Sequence, residues 1–243
     1  GRTLLQRCLA SVGGSQGVTV QTIVVTSDPT YVNPDVDLYF LEDGPAAKRN
    51  LGVFKAQSDT LIFLDDDVEV SPYCFYELWK FLADTPTCGM VFAKIYKMEE
   101  GRRDEFDAAG NWLTWTGFLW ARAQDDQEDC GQFEESCQVL ASKSATCVVR
   151  RDVFKQVGGF DPSYYILGEE TDLSWRCWLQ GYQSWYFPSA KSWHAFGTLL
   201  KPPADFYTLE RIHRYGCRNY LSMLFTNLGL ARLLCILPVH LSA

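Results

Sequence analysis

The chain has 243 residues, of which 47% are hydrophobic, and this length suits one large α/β domain or two small ones. Its formal net charge at pH 7 is -8 and it carries no basic stripe, which excludes a protein that binds nucleic acid through phosphate contacts. The nine cysteines are odd in number and include no CxxC pair, which argues against a zinc ribbon or a disulfide framework and indicates a reduced cytoplasmic protein.

The first part of the chain alternates predicted helices with predicted strands. An apolar stripe predicts a helix over residues 1–12. Because strands that are joined through helices lie parallel, the alternation indicates an α/β protein with a Rossmann-like, mostly parallel sheet flanked by helices. Such a sheet usually begins with a strand, so we expect an N-terminal strand to be missing. The predicted strands are residues 18–26, 37–41, 60–64 and 89–96, and the further predicted helices are residues 45–57 and 72–83.

Residues 99–135 differ from the preceding part because they are polar, contain Gly and Trp, and show no clear period. They predict hairpins and long loops around a site. We therefore divide residues 1–215 into two halves that meet at about residue 98, and treat residues 216–243 as a separate C-terminal segment. In the second half, strands are predicted at residues 139–149 and 184–187, and helices at residues 151–157 and 169–180.

An apolar stretch near the end of the chain runs from Leu221 to Leu241 and is interrupted by Asn227, Arg232 and Pro238. A membrane span needs about 20 apolar residues, so the stretch is marginal as a span. Three interpretations stay open: an amphipathic or membrane-proximal helix that contacts a membrane surface, a truncated membrane segment, and an ordinary packing helix.

The strongest functional signal is LIFLDDDVEV, residues 61–70. Asp65, Asp66 and Asp67 follow a buried strand directly, at the carboxyl end where open α/β sheets bind ligands. Three adjacent carboxylates repel one another unless a cation neutralises them, and Asp65 and Asp67 point the same way in an extended segment. The pattern predicts a divalent metal site, with a solvated acidic turn as the alternative.

A second acidic cluster, made of Glu169, Glu170 and Asp172, lies at the start of a predicted helix. Carboxylates are favoured there by the helix dipole, so capping alone would explain them. The functional interpretation is a general base, which must hold a carboxylate within about 3 Å of the proton it removes. Position alone does not choose among the three.

Other candidate side chains are a histidine and three tryptophans. His194 follows a predicted strand, and imidazole together with carboxylates suits manganese or a similar divalent ion, although a structural histidine is the commoner case. Trp112, Trp115 and Trp120 lie in the polar region. They stack on a sugar or anchor loops, and the sequence leaves both interpretations open.

Four stretches of the chain together resemble one family. They are GPAAKRNLGVFKAQSDTLIFLDDDVEVSP (44–72), VVRRDVFKQVGGFDPSYYILGEETDLSWRCWLQGY (148–182), YFPSAKSWH (186–194) and RNYLSMLFTN (218–227). Their number, order and spacing are similar to family 2 glycosyltransferases of the GT-A fold, particularly the rhamnosyltransferase-like members.

The resemblance implies an inverting, metal-dependent transferase that moves a hexose from a nucleotide-diphosphate sugar to a hydroxyl of a glycan or lipid-linked acceptor. It implies that the first half holds the nucleotide sugar and the second half the acceptor, at the cytosolic face of a membrane. A truncated or degenerate transferase that acts as a nucleotide-sugar or glycan binding module is the alternative, because the first strand is expected to be missing.

The resemblance also implies a role for each candidate residue. Glu170 would be the base, but it stands where the family usually has an aspartate, so Asp172 remains a rival. TSDP (26–29) stands where the family commonly has DNGS, and Asp28 is expected to compensate. The implied metal ligands for Mn²⁺ or Mg²⁺ are Asp65, Asp67 and His194, the donor-binding residues are Asp28, Arg49, Asp65 and Asp66, and the acceptor-binding residues are Glu169, Trp112 and Trp115.

Two other enzyme classes fit the sequence less well. A haloacid-dehalogenase-type phosphatase needs Thr or Val two residues after its second aspartate, where this chain has Glu69. A sugar nucleotidyltransferase needs a glycine-rich, basic N-terminal loop, which the sequence does not contain.

Overall fold

A computed structural model describes residues 2–99, 101–123, 127–195 and 206–241 of the chain. Its helices are α1 (Arg2–Gly13), α2 (Pro45–Lys55), α3 (Cys74–Asp84), α4 (Arg151–Gln156), α5 (Glu169–Leu179), α6 (Phe206–Asn227) and α7 (Leu230–Leu241). Its strands are β1 (Ile23–Thr26), β2 (Asp37–Phe40), β3 (Thr60–Leu64), β4 (Val68–Val70), β5 (Cys88–Met98), β6 (Arg102–Ala108), β7 (Asn111–Leu113), β8 (Leu119–Ala121), β9 (Cys137–Gln138), β10 (Thr146–Arg150) and β11 (Gln183–His194).

The central sheet contains β3, β10, β5, β11 and β4 side by side in that order, with β6 paired to β5 and β9 paired to β11. The predicted α/β class, a central sheet flanked by helices, is confirmed. The strand directions are more mixed than predicted, because β10 runs antiparallel to both of its neighbours while β5 and β11 are parallel. Helical crossovers oblige only the strands that they join to be parallel. β10 follows β5 through a long segment of hairpins and loops whose described residues form no helix. No helical crossover therefore obliges β10 to run parallel to its neighbours.

Helices cover both faces of this sheet, since alternate residues of a strand point to opposite sides. On β5, Met90 and Phe92 pack in a core with residues of α2, α4 and α5. Val91 and Ala93 pack on the other face against α3. Because β5 is buried on both faces, its first part, CGMVFA, is a continuous apolar run rather than an alternating one.

A cavity of about 490 Å³ separates β3 from the small parallel sheet of β1 and β2. Ile23 and Val25 of β1 line it together with Leu61 and Phe63 of β3. Within the described residues, β1 pairs only with β2 and β3 only with β10. The two sheets therefore each present an edge strand to this cavity.

The apolar C-terminal stretch is divided between two helices, since α6 ends at Asn227 and α7 begins at Leu230. Met223, Leu224, Leu233 and Ile236 are buried in a small core against the rest of the chain. Among the described helices, none is both long enough and apolar enough to cross a bilayer.

Candidate active site

The turn after β3 and the end of β11 bring the three predicted metal ligands together. β11 pairs with β4 so that His194 lies opposite Val68, directly after the three aspartates. One ligand atom each from Asp65, Asp67 and His194 lies within 4.8 Å of the others. Two carboxylates and an imidazole are a donor set that suits Mn²⁺ and is compatible with Mg²⁺.

The imidazole of His194 is buried and held from both sides. Its Nε2 lies 3.2 Å from Asp67 Oδ1, and its Nδ1 lies 2.9 Å from Asp107 Oδ2. Burial opposes protonation of His194, but the hydrogen bonds to Asp107 and Asp67 outweigh burial and raise its pKa to about 9. A cation at this site would therefore take the place of a proton on Nε2.

Asp107 is not among the predicted site residues, because the sequence around it has no clear period and predicts hairpins and loops. It lies on β6, its side chain is buried, and Lys143 Nζ donates to its Oδ1 at 2.6 Å. Burial would raise the pKa of Asp107, but the hydrogen bond with His194 and the charge of Lys143 hold it below its usual value. The sequence signal that could have found it is an aspartate enclosed by the apolar residues Phe106, Ala108 and Ala109.

Arg49 connects the aspartate turn to the second acidic cluster. Its Nη2 lies 2.7 Å from Asp65 Oδ1 and its Nη1 lies 2.6 Å from Glu169 Oε1. The neighbouring Asn50 exchanges two hydrogen bonds with the backbone of Phe160. Helix α2 thus fixes the position of the chain that leads into α5, and the guanidinium of Arg49 is engaged by carboxylates.

Glu169 and Glu170 occupy the first turn of α5, after Gly168 in the left-handed conformation with φ 86°. Glu169 is buried, and its Oε2 has no hydrogen-bond partner among the described residues. Burial first, and then the charge of Glu169, raise the pKa of Glu170 to about 8. Glu170 is thus a carboxyl group that changes charge near neutral pH.

The turn that precedes α5 is strained and is held by a residue of α6. Tyr165 and Leu167 have positive φ values of 60° and 72°, which are unfavourable for large side chains. The amide Nδ2 of Asn219 lies 2.7–2.8 Å from the carbonyl oxygens of Tyr164, Ile166 and Leu167. Asn219 belongs to the stretch RNYLSMLFTN, whose pattern contains no local signal for a contact over more than fifty residues.

Asp172 is placed differently from Glu170, although it lies only two residues further along α5. Its Oδ2 accepts from Arg176 Nε at 2.8 Å, and its Oδ1 accepts from Asn227 Nδ2 at 2.8 Å. The hydroxyl of Tyr164 lies 3.4 Å from the same Oδ1. Asp172 is buried with both oxygens engaged, an arrangement typical of a structural carboxylate.

Asp28 and Asp66, two further residues predicted to bind the donor, lie in different parts of the structure. Asp28 follows β1 and binds Arg2 at 2.7 Å, and hydrogen bonds from Thr30 and then Arg2 lower its pKa to about 2. Asp66 stands between the two predicted metal ligands, and burial and then the charges of Asp67 and Asp65 raise its pKa. Asp66 thus lies in the aspartate turn, whereas Asp28 is bound by Arg2 at the start of α1.

The predicted tryptophans lie on a hairpin that docks against the C-terminal helices. Trp112 and Trp120 are opposite one another on β7 and β8, and the side chain of Trp115 is exposed at the turn. The turn is fixed because Tyr220 of α6 donates to the carbonyl of Gly117 at 2.6 Å. From α7, the Arg232 guanidinium lies 5.0 Å from the Trp115 ring centroid.

Comparison with known proteins gives matches over most of the chain. A family model described as glycosyl transferase family group 2 matches residues 60–242. A pre-mycofactocin glycosyltransferase of Mycobacterium tuberculosis is 29% identical over 210 residues, which are 81% of this chain and 41% of that relative. An N-acetylglucosaminyl-diphospho-decaprenol L-rhamnosyltransferase of the same organism is 46% identical over 64 residues, 26% of this chain and 21% of the relative. The chain thus spans less than half the length of the curated relatives it matches.

The fold has a counterpart among solved structures. The crystal structure of GalNAc-T7 with UDP, GalNAc and Mn²⁺ superposes with a TM-score of 0.69 at 17% identity, over 92% of this chain and 45% of that one. At this identity the likeness bears on the fold, and it confirms the GT-A architecture that the motifs predicted.

Proposed function

The chain belongs to glycosyl transferase family group 2, and we propose that it transfers a hexose from a nucleotide-diphosphate sugar to a hydroxyl of a glycan or lipid-linked acceptor, in one displacement with inversion. The observation that carries the proposal is the position of Arg49 between Asp65 and Glu169. It places the aspartate turn, which suits the charged end of a donor, next to the acidic turn of α5. An inverting transfer needs a donor site and a base on opposite sides of one sugar carbon.

The donor end of the site would be held by Asp65, Asp67 and His194 through Mn²⁺ or Mg²⁺. When bound, the cation offsets the negative charge that develops on the diphosphate leaving group. Asp66, in the same turn, would lie close to the ribose or the sugar, and Asp28 would serve the nucleotide. We assign Arg49 a positioning role at this end, because its guanidinium already binds two carboxylates.

The acceptor end would be formed by the first turn of α5, with Glu170 as the general base. Its raised pKa near 8 supports this role, since a base works best when its pKa lies near the working pH. In the ionised form, Glu170 takes the proton from the acceptor hydroxyl as that oxygen attacks the anomeric carbon. Asp172 is the weaker choice, because Arg176 and Asn227 engage both of its oxygens.

Acceptor and membrane contacts are proposed for the surface made by the β7–β8 hairpin and α7. Trp115 is 83% exposed and Trp120 61%, and on α7 Leu230 is 71% and Leu234 61% exposed. Exposed indoles and leucines beside an arginine are typical of segments that lie at a lipid–water interface. This surface supports contact with a lipid-linked acceptor, and we propose the cytosolic face of a membrane as the place of action.

The test of the proposal is a donor-binding and transfer assay. UDP, dTDP and GDP are titrated calorimetrically with and without Mn²⁺, and the matching nucleotide sugars are then screened for sugar transfer, with the anomeric configuration of the product read by NMR. We expect one nucleotide to bind more tightly with Mn²⁺, and Asp67→Asn to remove that difference. Equal binding without the cation would overturn the metal role, and retained configuration would overturn the single displacement.

A further inference from the structure

We propose that Asp107, supported by Lys143, is a positioning residue that presents Nε2 of His194 to the metal. This inference rests on the proposed metal-dependent function and adds two residues to it. The observation that carries it is a chain of contacts from Lys143 through Asp107 and His194 to Asp67.

Asp107 sets which nitrogen of the His194 imidazole ring carries the proton. A neutral histidine has one nitrogen that donates a proton and one that offers a lone pair, and only the latter binds a metal. Ionised Asp107 can only accept, and its Oδ2 lies 2.9 Å from Nδ1 of His194. The contact therefore places the ring proton on Nδ1 and leaves the lone pair on Nε2, the nitrogen that faces Asp67.

The contact between Asp107 and His194 is held rigidly. The Asp107 side chain is only 1% exposed and sits on a strand of the central sheet, so its carboxylate has a fixed position. His194 is the last residue of β11 and is also buried. A carboxylate that fixes a metal-binding histidine in this way also raises the basicity of the ligating nitrogen.

Lys143 binds the other oxygen of Asp107 at 2.6 Å. Without a cation of its own, a buried carboxylate would add a further negative charge beside Asp65, Asp66 and Asp67. Lys143 offsets that charge and occupies the oxygen that His194 does not use. It thereby keeps Asp107 bound to the histidine instead of turning toward the metal.

The variant Asp107→Asn tests the proposal, with Mn²⁺ uptake in the presence of saturating UDP followed through the EPR signal of the free ion. We expect Mn²⁺ to bind about 10- to 100-fold more weakly than in the wild-type protein, and saturating Mn²⁺ to restore turnover to within a few-fold. The matched control is Asp129→Asn, since Asp129 also pairs with a buried lysine, Lys94, at 2.5 Å. It should bind Mn²⁺ as the wild type does.

The outcomes separate this inference from the proposed function. If the wild type binds Mn²⁺ and His194→Ala loses it while Asp107→Asn keeps full affinity, the positioning role is wrong and the metal site stands. If the wild type takes up no Mn²⁺, the metal site and this inference both fall.

A measurement on the unmodified protein decides the case in which Asp107→Asn does not fold. The ¹⁵N shifts of the His194 ring, assigned by comparison with His194→Gln, are recorded with Mg²⁺ and UDP. A proton on Nδ1 and an unprotonated Nε2 support the proposal, and the reverse tautomer overturns it.

Discussion

Arg49 binds Asp65 with one nitrogen of its guanidinium and Glu169 with the other, at 2.7 Å and 2.6 Å. These two carboxylates come from parts of the chain that lie more than a hundred residues apart, one after β3 and one at the start of α5. A planar fork with two donor directions can hold both at once, which a lysine ammonium cannot do with the same geometry. The relationship has consequences for both stability and turnover.

Removing Arg49 should leave the buried Glu169 without its cation. We expect Arg49→Leu to lower the free energy of unfolding by about 3 kcal/mol, the usual effect of breaking a buried ion pair from one side. The double variant Arg49→Leu/Glu169→Leu should recover part of the loss. Urea unfolding followed by fluorescence measures both, and an Arg49→Leu protein as stable as the wild type would contradict the ion pair.

Replacing Glu170 should remove turnover without removing the donor site. We expect Glu170→Gln to lower kcat by about 10²- to 10⁴-fold while the affinity for nucleotide and Mn²⁺ stays unchanged. Because an ionised Glu170 is costly to bury, the glutamine variant should be at least as stable as the wild type at pH 8. A Glu170→Gln protein with full turnover would move the base elsewhere.

The pH dependence of turnover follows from the raised pKa of the same carboxyl group, about 8 in the metal-free protein. The ionised form is the active base, so kcat should increase as pH rises through the apparent pKa and fall about tenfold per unit below it. A metal at Asp65 lowers that pKa, so the midpoint should lie between about 4.3, the ordinary value for glutamate, and 8. Rates measured from pH 5 to 9 check this, and a flat profile would contradict the assignment.

Asp172 should behave as a structural residue. We expect Asp172→Asn to destabilise the protein by about 3 kcal/mol, because Arg176 loses its charged partner, while the folded fraction keeps its turnover within a few-fold. Thermal unfolding and the rate per folded molecule separate the two effects. A stable Asp172→Asn protein without turnover would instead make Asp172 the base.

The hairpin and α7 surface should mediate contact with lipid. We expect the double variant Trp115→Ser/Leu234→Ser to sediment less with anionic vesicles than the wild type, while calorimetry shows unchanged nucleotide binding. The control is Trp79→Ser, which changes an exposed tryptophan of α3. Equal sedimentation of wild type and double variant would remove the membrane role from this surface.

Much of the fold and of the donor end could be predicted from the sequence, because both depend on local patterns. The buried run before Asp65 and the strand before His194 are visible as apolar segments, and the carboxyl ends of strands are where ligands bind. Because Asp65 and His194 both lie at the carboxyl ends of strands, they come together at one edge of the sheet. The antiparallel direction of β10 could not be predicted, because no helical crossover constrains it.

The residues that support the candidate site could not be predicted from local sequence patterns. Asp107, Lys143 and Asn219 act through contacts between distant parts of the chain, and the local pattern around each of them does not indicate those contacts. The distinct surroundings of Glu170 and Asp172 are a further case. Both are acidic residues of one helical turn, and only the packing of Arg176 and Asn227 separates them.

The contacts of Asn219 and Asn227 also affect the point during synthesis at which the protein can begin to turn over its substrate. The ribosome synthesises the proposed metal ligands and Glu170 before it synthesises α6. Asn219 of α6 comes more than fifty residues after the turn whose carbonyl groups it binds. A nascent chain that has emerged as far as His194 therefore carries every proposed reacting group, but its strained turn at Tyr165 and Leu167 lacks the amide that holds it. Domains generally fold as units during translation, so we expect turnover to begin only after α6 has docked.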